Sequence, residues 1–291
     1  MTKIKQIEEF ILYQKSLDKS ALTMKSYRLD LYSFAGWFYK INGELLKLRK
    51  ITPTDIRQYK QYLISCEYKP NTINRRLVSL RHFLSWAWST KRISYQFPLP
   101  KFVRQNKTAP KWLNKVDQNS LLRHIERYGK KRDITIVKLL LNTGIRVHEL
   151  CNLKWNNIEI SERKGNVVIY YGKGNKYREI PLNNDARNIL LSIDYKKHTG
   201  KAEAVFIGQK GALSSRGIQL MFKRLFKNSN FISVTPHQLR HTFCKNLIDA
   251  GVSLDKVAAL AGHESLETTK IYCTPSLSDL AEAVEKIGED Y

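Results

Sequence analysis

The sequence predicts a mainly α protein of two domains: a four-helix N-terminal domain and an α-rich C-terminal domain with a small antiparallel β-sheet. Three observations carry this. Apolar side chains recur every three or four residues through most of the chain, the spacing that loads one face of a helix. One pair of β-rich runs interrupts them, on either side of the glycine-containing stretch GKGNK. Pro98, Pro100 and Pro110 fall in a polar, basic stretch with no periodicity of either kind, the composition of a linker. The domains are therefore expected at residues 1–100 and 112–291, with a linker at 101–111.

In the first domain, IKQIEEFILYQKSL sets Ile4, Ile7, Ile11 and Leu12 at helical spacing. A second helix starts near Ser20, and TMKSYRLDLYSFAGWFYK stacks aromatics on one face. TPTDIRQYKQYLIS opens with Thr52 as an N-cap and Pro53 in the first turn. NTINRRLVSLRHFLSWAWSTKRI interleaves Leu77, Leu80, Phe83, Leu84 and Trp88, expected in the core, with Arg75, Arg76 and Arg81. The second domain resumes with helices that include DITIVKLLLNTGIRVHELCNL. NVVIYY and YREIPL then read as a hairpin around GKGNK. Helices return at SSRGIQLMFKRLF, HQLRHTFCKNLIDAG, SLDKVAALAG and SLETTKIY. A last amphipathic helix, 276–289, presents Leu277, Leu280, Ala281, Val284 and Ile287.

Charge narrows the possible partners. Fifty Lys and Arg against 26 Asp and Glu leave +24, a field that favours a polyanion, and nucleic acid above all. Residues 1–105 hold 20 basic and 7 acidic side chains, and residues 106–291 hold 30 and 19. With both halves basic, a clamp gripping a duplex from two sides fits better than a basic tail. Arg28, Arg75, Arg76 and Arg81 are the candidate DNA contacts, a solvated face being the alternative. Residues 275–291 reverse the sign, with Asp279, Glu282, Glu285, Glu289 and Asp290 against Lys286, so this tail is expected to meet protein. The four cysteines show no CxxC pair, which fits reduced, buried thiols rather than a disulfide framework or a zinc cluster. No apolar run approaches the roughly 20 residues of a membrane span. No secretory signal opens the chain either, so a cytoplasmic location is expected.

The segment TPHQLRHTF gathers His237, Arg240 and His241 just after a proline. Histidines four apart share a helix face, the spacing of a zinc hydrolase. Gln238 cannot act as that motif's base, however, and Arg240 would set a fixed positive charge beside the metal. A phosphate site uses what is present: a planar guanidinium fork, imidazoles that titrate near neutrality and a helix start. A basic face turned to water remains the bland reading of this segment alone. Elsewhere TGIRVHEL offers Arg146 with Glu149 three residues on, GKGNK presents Lys173, and AGHESLETTKIY supplies His263 and Tyr272.

In that order, Arg146, Lys173, His237, Arg240, His263 and Tyr272 resemble the catalytic set of the tyrosine recombinase (phage integrase) family. The resemblance covers essentially the whole chain, and its length and layout are most similar to Xer-type recombinases and transposon-encoded resolvases. Gln238 stands where an acid is common, and Ala261 where leucine is usual. The resemblance implies a SAM-like helical core-binding domain followed by a catalytic domain, together forming a C-shaped clamp around DNA. It implies Tyr272 as nucleophile, Arg146, Arg240 and His263 on the scissile phosphate, His237 as acceptor of the tyrosine proton and Lys173 as general acid. Glu149 would orient Arg146, and His241 would serve structure. The reaction would need no metal, ATP or other cofactor. Its partners would be double-stranded DNA bearing a specific site and three further copies in a tetramer, joined through helix 276–289, at the nucleoid. A related recombinase or an accessory protein is a further candidate partner, and packing of that helix on its own domain is the alternative. A type IB-like topoisomerase and a non-catalytic DNA-binding regulator are the competing readings.

Overall fold

The computed structural model describes residues 4–98, 100–104, 110–170, 177–193, 195–209, 211–231, 233–263, 265–273 and 284–285. The chain divides into two compact units, Met1–Lys107 and Thr108–Tyr291.

The first unit contains α1 (Lys5–Ser16), α2 (Ala21–Asn42), α3 (Pro53–Ser65) and α4 (Pro70–Ser89). Local chemistry starts the helices where the sequence places them. The Ser20 hydroxyl accepts from the Thr23 amide at the head of α2. Thr52 and Asp55 form a reciprocal capping box on α3, with Pro53 in its first turn. Phe10, Phe34, Phe38, Tyr59 and Phe83 are fully buried and share the core with Ile7, Leu77 and Leu80. Two core expectations fail. Leu12 is 65% exposed and Trp88 46% exposed, while Phe10 and Trp86 take the interior. The cause is angular: each residue turns a helix by about 100°, so Leu12 sits one step beyond the Ile7–Phe10–Ile11 stripe and Trp88 one step beyond Leu84–Ala87.

The second unit opens with α5 (Lys115–Tyr128), α6 (Lys131–Thr143) and the short α7 (Val147–Asn152). A three-stranded antiparallel sheet follows, β1 (Ile158–Ile160), β2 (Gly165–Tyr170) and β3 (Tyr177–Pro181), in that spatial order. Val167 faces Ile180 and Ile169 faces Arg178 in the β2–β3 register. These are the two runs expected as a hairpin; GKGNK, with Lys173, lies outside the described residues. Strand β1 was not expected. It pairs with β2 over three residues, too short a run to show alternation. Next come α8 (Asn184–Ser192), α9 (Tyr195–His198), the two-residue strands β4 (Ile207–Gly208) and β5 (Gly211–Ala212), and α10 (Ser215–Leu225). The chain then forms α11 (Pro236–Asp249), α12 (Leu254–Ala261) and α13 (Glu267–Lys270). The expected helix 276–289 lies outside the described residues except for Val284 and Glu285.

Helix α6 is the spine of this unit. Its Ile136, Val137, Leu139 and Leu140 are fully buried, and Leu239 of α11 belongs to the same core. The cysteines divide: Cys151 and Cys244 are buried, but Cys66 and Cys273 are exposed, against the expectation that all four are interior. None of the helices among the described residues is long and apolar enough to cross a membrane.

Candidate active site

The site is built where α6 ends. Gly144 takes a left-handed backbone, φ +59°, and a Cβ there would lie 2.2 Å from the Phe243 ring. Only glycine lets the chain reverse against α11 at this point. The turn delivers Arg146 to the head of α7. Glu149, 5% exposed, accepts from the Arg146 amide at 2.7 Å and from its guanidinium at 3.0 Å. The Arg146 fork also donates to the Gly262 carbonyl at 2.5 Å.

A second arginine holds the same carboxylate. Arg178, on β3, donates to both Glu149 oxygens at 2.9 and 2.8 Å and to the Leu260 carbonyl at 3.1 Å. Burial would raise the Glu149 carboxyl, but hydrogen bonds from Arg178 and Arg146 overcome it and hold it at about 2. Gly262, at φ +65°, leaves room for this fork: a Cβ there would come within 2.8 Å of the Arg178 guanidinium.

Helix α11 supplies the next groups. Thr235 caps it by accepting from the Gln238 amide, and Pro236 occupies its first turn. Arg240 is 3% exposed and donates to the Gly144 and Ala261 carbonyls, both at 2.6 Å. Burial and the nearby Arg146 lower its pKa to about 10, so it stays cationic at neutral pH. Among the described residues, three guanidinium groups thus crowd around one carboxylate. A bound anion would relieve that surplus and pair with donors already aimed.

His263, just past α12, meets the Thr269 hydroxyl through Nδ1 at 2.9 Å, and its ring lies nearly parallel to Tyr272, centroids 6.3 Å apart. Tyr272 is 1% exposed, packed with Phe243, Cys244, Val257 and Ala261. Its hydroxyl lies 2.6 Å from His241 Nδ1. His237, one turn earlier on α11, stays exposed at its outer edge and touches His241 edge to face, centroids 4.2 Å apart. Burial, with Arg240 and Arg146, depresses His263 to about 4; burial, His237 and Arg240 do the same to His241. Both imidazoles are neutral at pH 7. Burial, then the adjoining Cys244, raises the Tyr272 phenol above its ordinary value.

Of the residues singled out in the sequence, Arg146, Glu149, His237, Arg240, His263 and Tyr272 are therefore brought together. Arg178 and His241 were not given roles in the site. The first was legible in principle: in YREIPL, Arg178 alternates with the buried Ile180, which marks an inward-facing guanidinium. Among the described residues, His237 and His241 have no acidic third partner, and no group of three or more His, Cys, Asp or Glu could hold a metal.

In the first unit, Arg28 donates to Glu8 at 3.1 and 2.7 Å. Arg75 pairs with the buried Asp30. Arg76 lies over the Tyr68 ring at 4.2 Å and Arg81 over Phe102 at 5.2 Å. Neither Arg76 nor Arg81 is ion-paired to a carboxylate among the described residues, so these two cations keep more charge for a ligand than Arg28 and Arg75 do.

Comparison with known proteins decides the family. Residues 111–277 match the phage integrase family, and residues 7–91 match the phage integrase N-terminal SAM-like domain. The chain belongs to the phage integrase family of tyrosine recombinases. It is 31% identical over 278 residues to tyrosine recombinase XerC of Staphylococcus epidermidis, covering 92% of each chain. It is 30% identical over 296 residues to a tyrosine recombinase of Agathobacter rectalis, covering 95% of this chain and 93% of that one. The fold is similar to that of the XerH site-specific recombinase bound to palindromic difH substrate, with a TM-score of 0.75, 22% identity, and coverage of 93% of this chain and 81% of that one. The expected fold class and Xer-like family are thus met. The chain is a site-specific tyrosine recombinase, a DNA strand-exchange enzyme of the kind that works without metal or ATP.

Proposed function

We propose that Tyr272 attacks a backbone phosphorus at a specific DNA site, forming a 3′-phosphotyrosyl link and freeing a 5′-hydroxyl. Arg146, Arg240 and His263 bind the non-bridging oxygens, where negative charge grows in the transition state. Glu149 and Arg178 set the direction of Arg146 without touching the phosphate. His237, at the open edge of the cluster, takes up the phenolic proton. Lys173 protonates the leaving 5′-oxygen. The ester conserves the bond energy, so a partner strand's 5′-hydroxyl reseals the backbone through a Holliday junction.

The observation that carries this reading is the cluster of buried Arg240 and half-buried Arg146 beside the Tyr272 hydroxyl. Two arginines whose charge Glu149, the one carboxylate at the site among the described residues, does not balance make an anion site within reach of one phenol. The test is a nicked suicide substrate bearing the recombination site, incubated with EDTA. The native chain forms a covalent adduct and Tyr272→Phe forms none; an adduct in the phenylalanine variant would remove the proposal.

The working assembly on paired sites is a homotetramer, held together by the acidic amphipathic segment 276–289 docking on a neighbouring copy, in the cytoplasm at the nucleoid. Opposite charge supports this, because segment 276–289 carries four acids against one lysine in a chain of net +24. Deleting residues 276–291 is expected to leave site binding intact while abolishing strand exchange and the tetrameric complex in sizing experiments. Unchanged recombination and unchanged complex size would exclude the role. Resolution of dimers or cointegrates, or integration and excision of a mobile element, are the outcomes such an exchange serves.

A further inference from the structure

The nucleophile is held by a residue to which the proposed reaction gives no role. Tyr272 follows α13, a helix of only four residues, so its own segment does little to fix the hydroxyl. The ring is wedged among Phe243, Cys244, Val257 and Ala261, which limits its tilt. Apolar packing has no direction, however, and the depth and heading of the hydroxyl depend on polar neighbours. His241 Nδ1, at 2.6 Å, is one. It sits in the second turn of α11, directly after Arg240, whose fork is anchored to the Gly144 and Ala261 carbonyls.

We infer that His241 is a positioning residue for the nucleophile: consecutive residues of one rigid helix hold the phosphate-binding guanidinium and the phenol hydroxyl, fixing their separation. The inference rests on Tyr272 being the nucleophile. Proton acceptance by His241 is the rival role; burial lowers the His241 imidazole and the His237 imidazole alike, so the variants below, not basicity, separate the two roles. As a neutral hydrogen-bond partner His241 is well suited. Misplacing a reacting atom by about 1 Å costs on the order of 100-fold in rate, and that is the scale at which losing this contact should register.

The experiment measures single-turnover adduct formation by the full chain on the nicked substrate, with DNA affinity measured in parallel. His241→Ala should slow adduct formation by roughly 10- to 100-fold with site affinity unchanged. His241→Asn places an amide close to where Nδ1 lies but cannot take up a proton at neutral pH. It should recover most of the rate and keep the native pH profile. Should His241→Ala unfold in a thermal melt, the asparagine variant alone decides. An alanine variant as fast as the native chain or faster, or an asparagine variant folded but no better than alanine, overturns the inference. Tyr272→Phe runs alongside: an adduct there would sink the nucleophile assignment itself, a failure separate from that of His241.

Discussion

At the scale of single residues, the site is an arrangement of buried charge around one carboxylate. Glu149 accepts from Arg146 and from Arg178, so removing its charge strands two guanidinium groups at once. Its folded pKa of about 2 lies below the ordinary 4.5. The stabilisation is therefore complete above about pH 4.5 and is lost as pH falls toward 2. Glu149→Gln should be less stable at pH 7 and should lose less than the native chain does across that acid window, as read by urea melts at each pH. The two histidines add a second decline at higher pH. Their folded pKa values, about 4 against an ordinary 6.5, favour the neutral ring, so stability begins to fall below about pH 6.5. His241→Asn should remove part of that decline and leave the Glu149 component in place. Lys173→Ala should slow cleavage of an ordinary phosphodiester but far less when the 5′ leaving group is a thiol, which departs without protonation. Equal slowing on both substrates would show that Lys173 is not the general acid.

At the scale of elements, turns and caps place the chemistry that helices merely carry. The α6–α7 junction can reverse only because Gly144 is left-handed and lies against Phe243. Gly144→Ala should displace Arg146 and lower the melting temperature, with cleavage falling more steeply than DNA binding; a variant of native activity would show that the ring gives way freely. The Thr52–Asp55 capping box starts α3 far from the site. Thr52→Ala should cost about 1 kcal/mol in denaturant melts of the full chain and leave adduct formation unchanged. These elements were largely legible in the sequence, because capping and 3.6-residue periodicity are local. The boundaries of core stripes were less so: Leu12 and Trp88 are apolar but sit one helical step beyond the buried face. Strand β1, three residues long, carries too little alternation to announce itself.

At the scale of the whole molecule, the excess of positive charge in both units predicts association dominated by phosphate contacts. Each phosphate contact releases counterions, so affinity should fall steeply and linearly on a log–log plot of binding against salt. Arg76→Ala and Arg81→Ala should each reduce that slope by about 1 if the side chain meets a phosphate. Arg28→Ala and Arg75→Ala should change it less, because Glu8 and Asp30 already neutralise those groups. A slope equally insensitive to all four would place the DNA contacts elsewhere.

The sequence by itself determined the helical class, the two-domain order, the basic character and the ordered set Arg146, Lys173, His237, Arg240, His263 and Tyr272. These are carried by local periodicity, composition and short motifs. Only the tertiary structure decided which groups touch. It set Arg178 on Glu149 across 29 positions and His241 on Tyr272 across 31, and it sank Tyr272 into an apolar pocket that raises its pKa. Contacts of that kind depend on packing between α6, α11, α12 and the sheet. A linear pattern can say that a side chain points inward, but its partner is whichever group the fold brings to the same buried point.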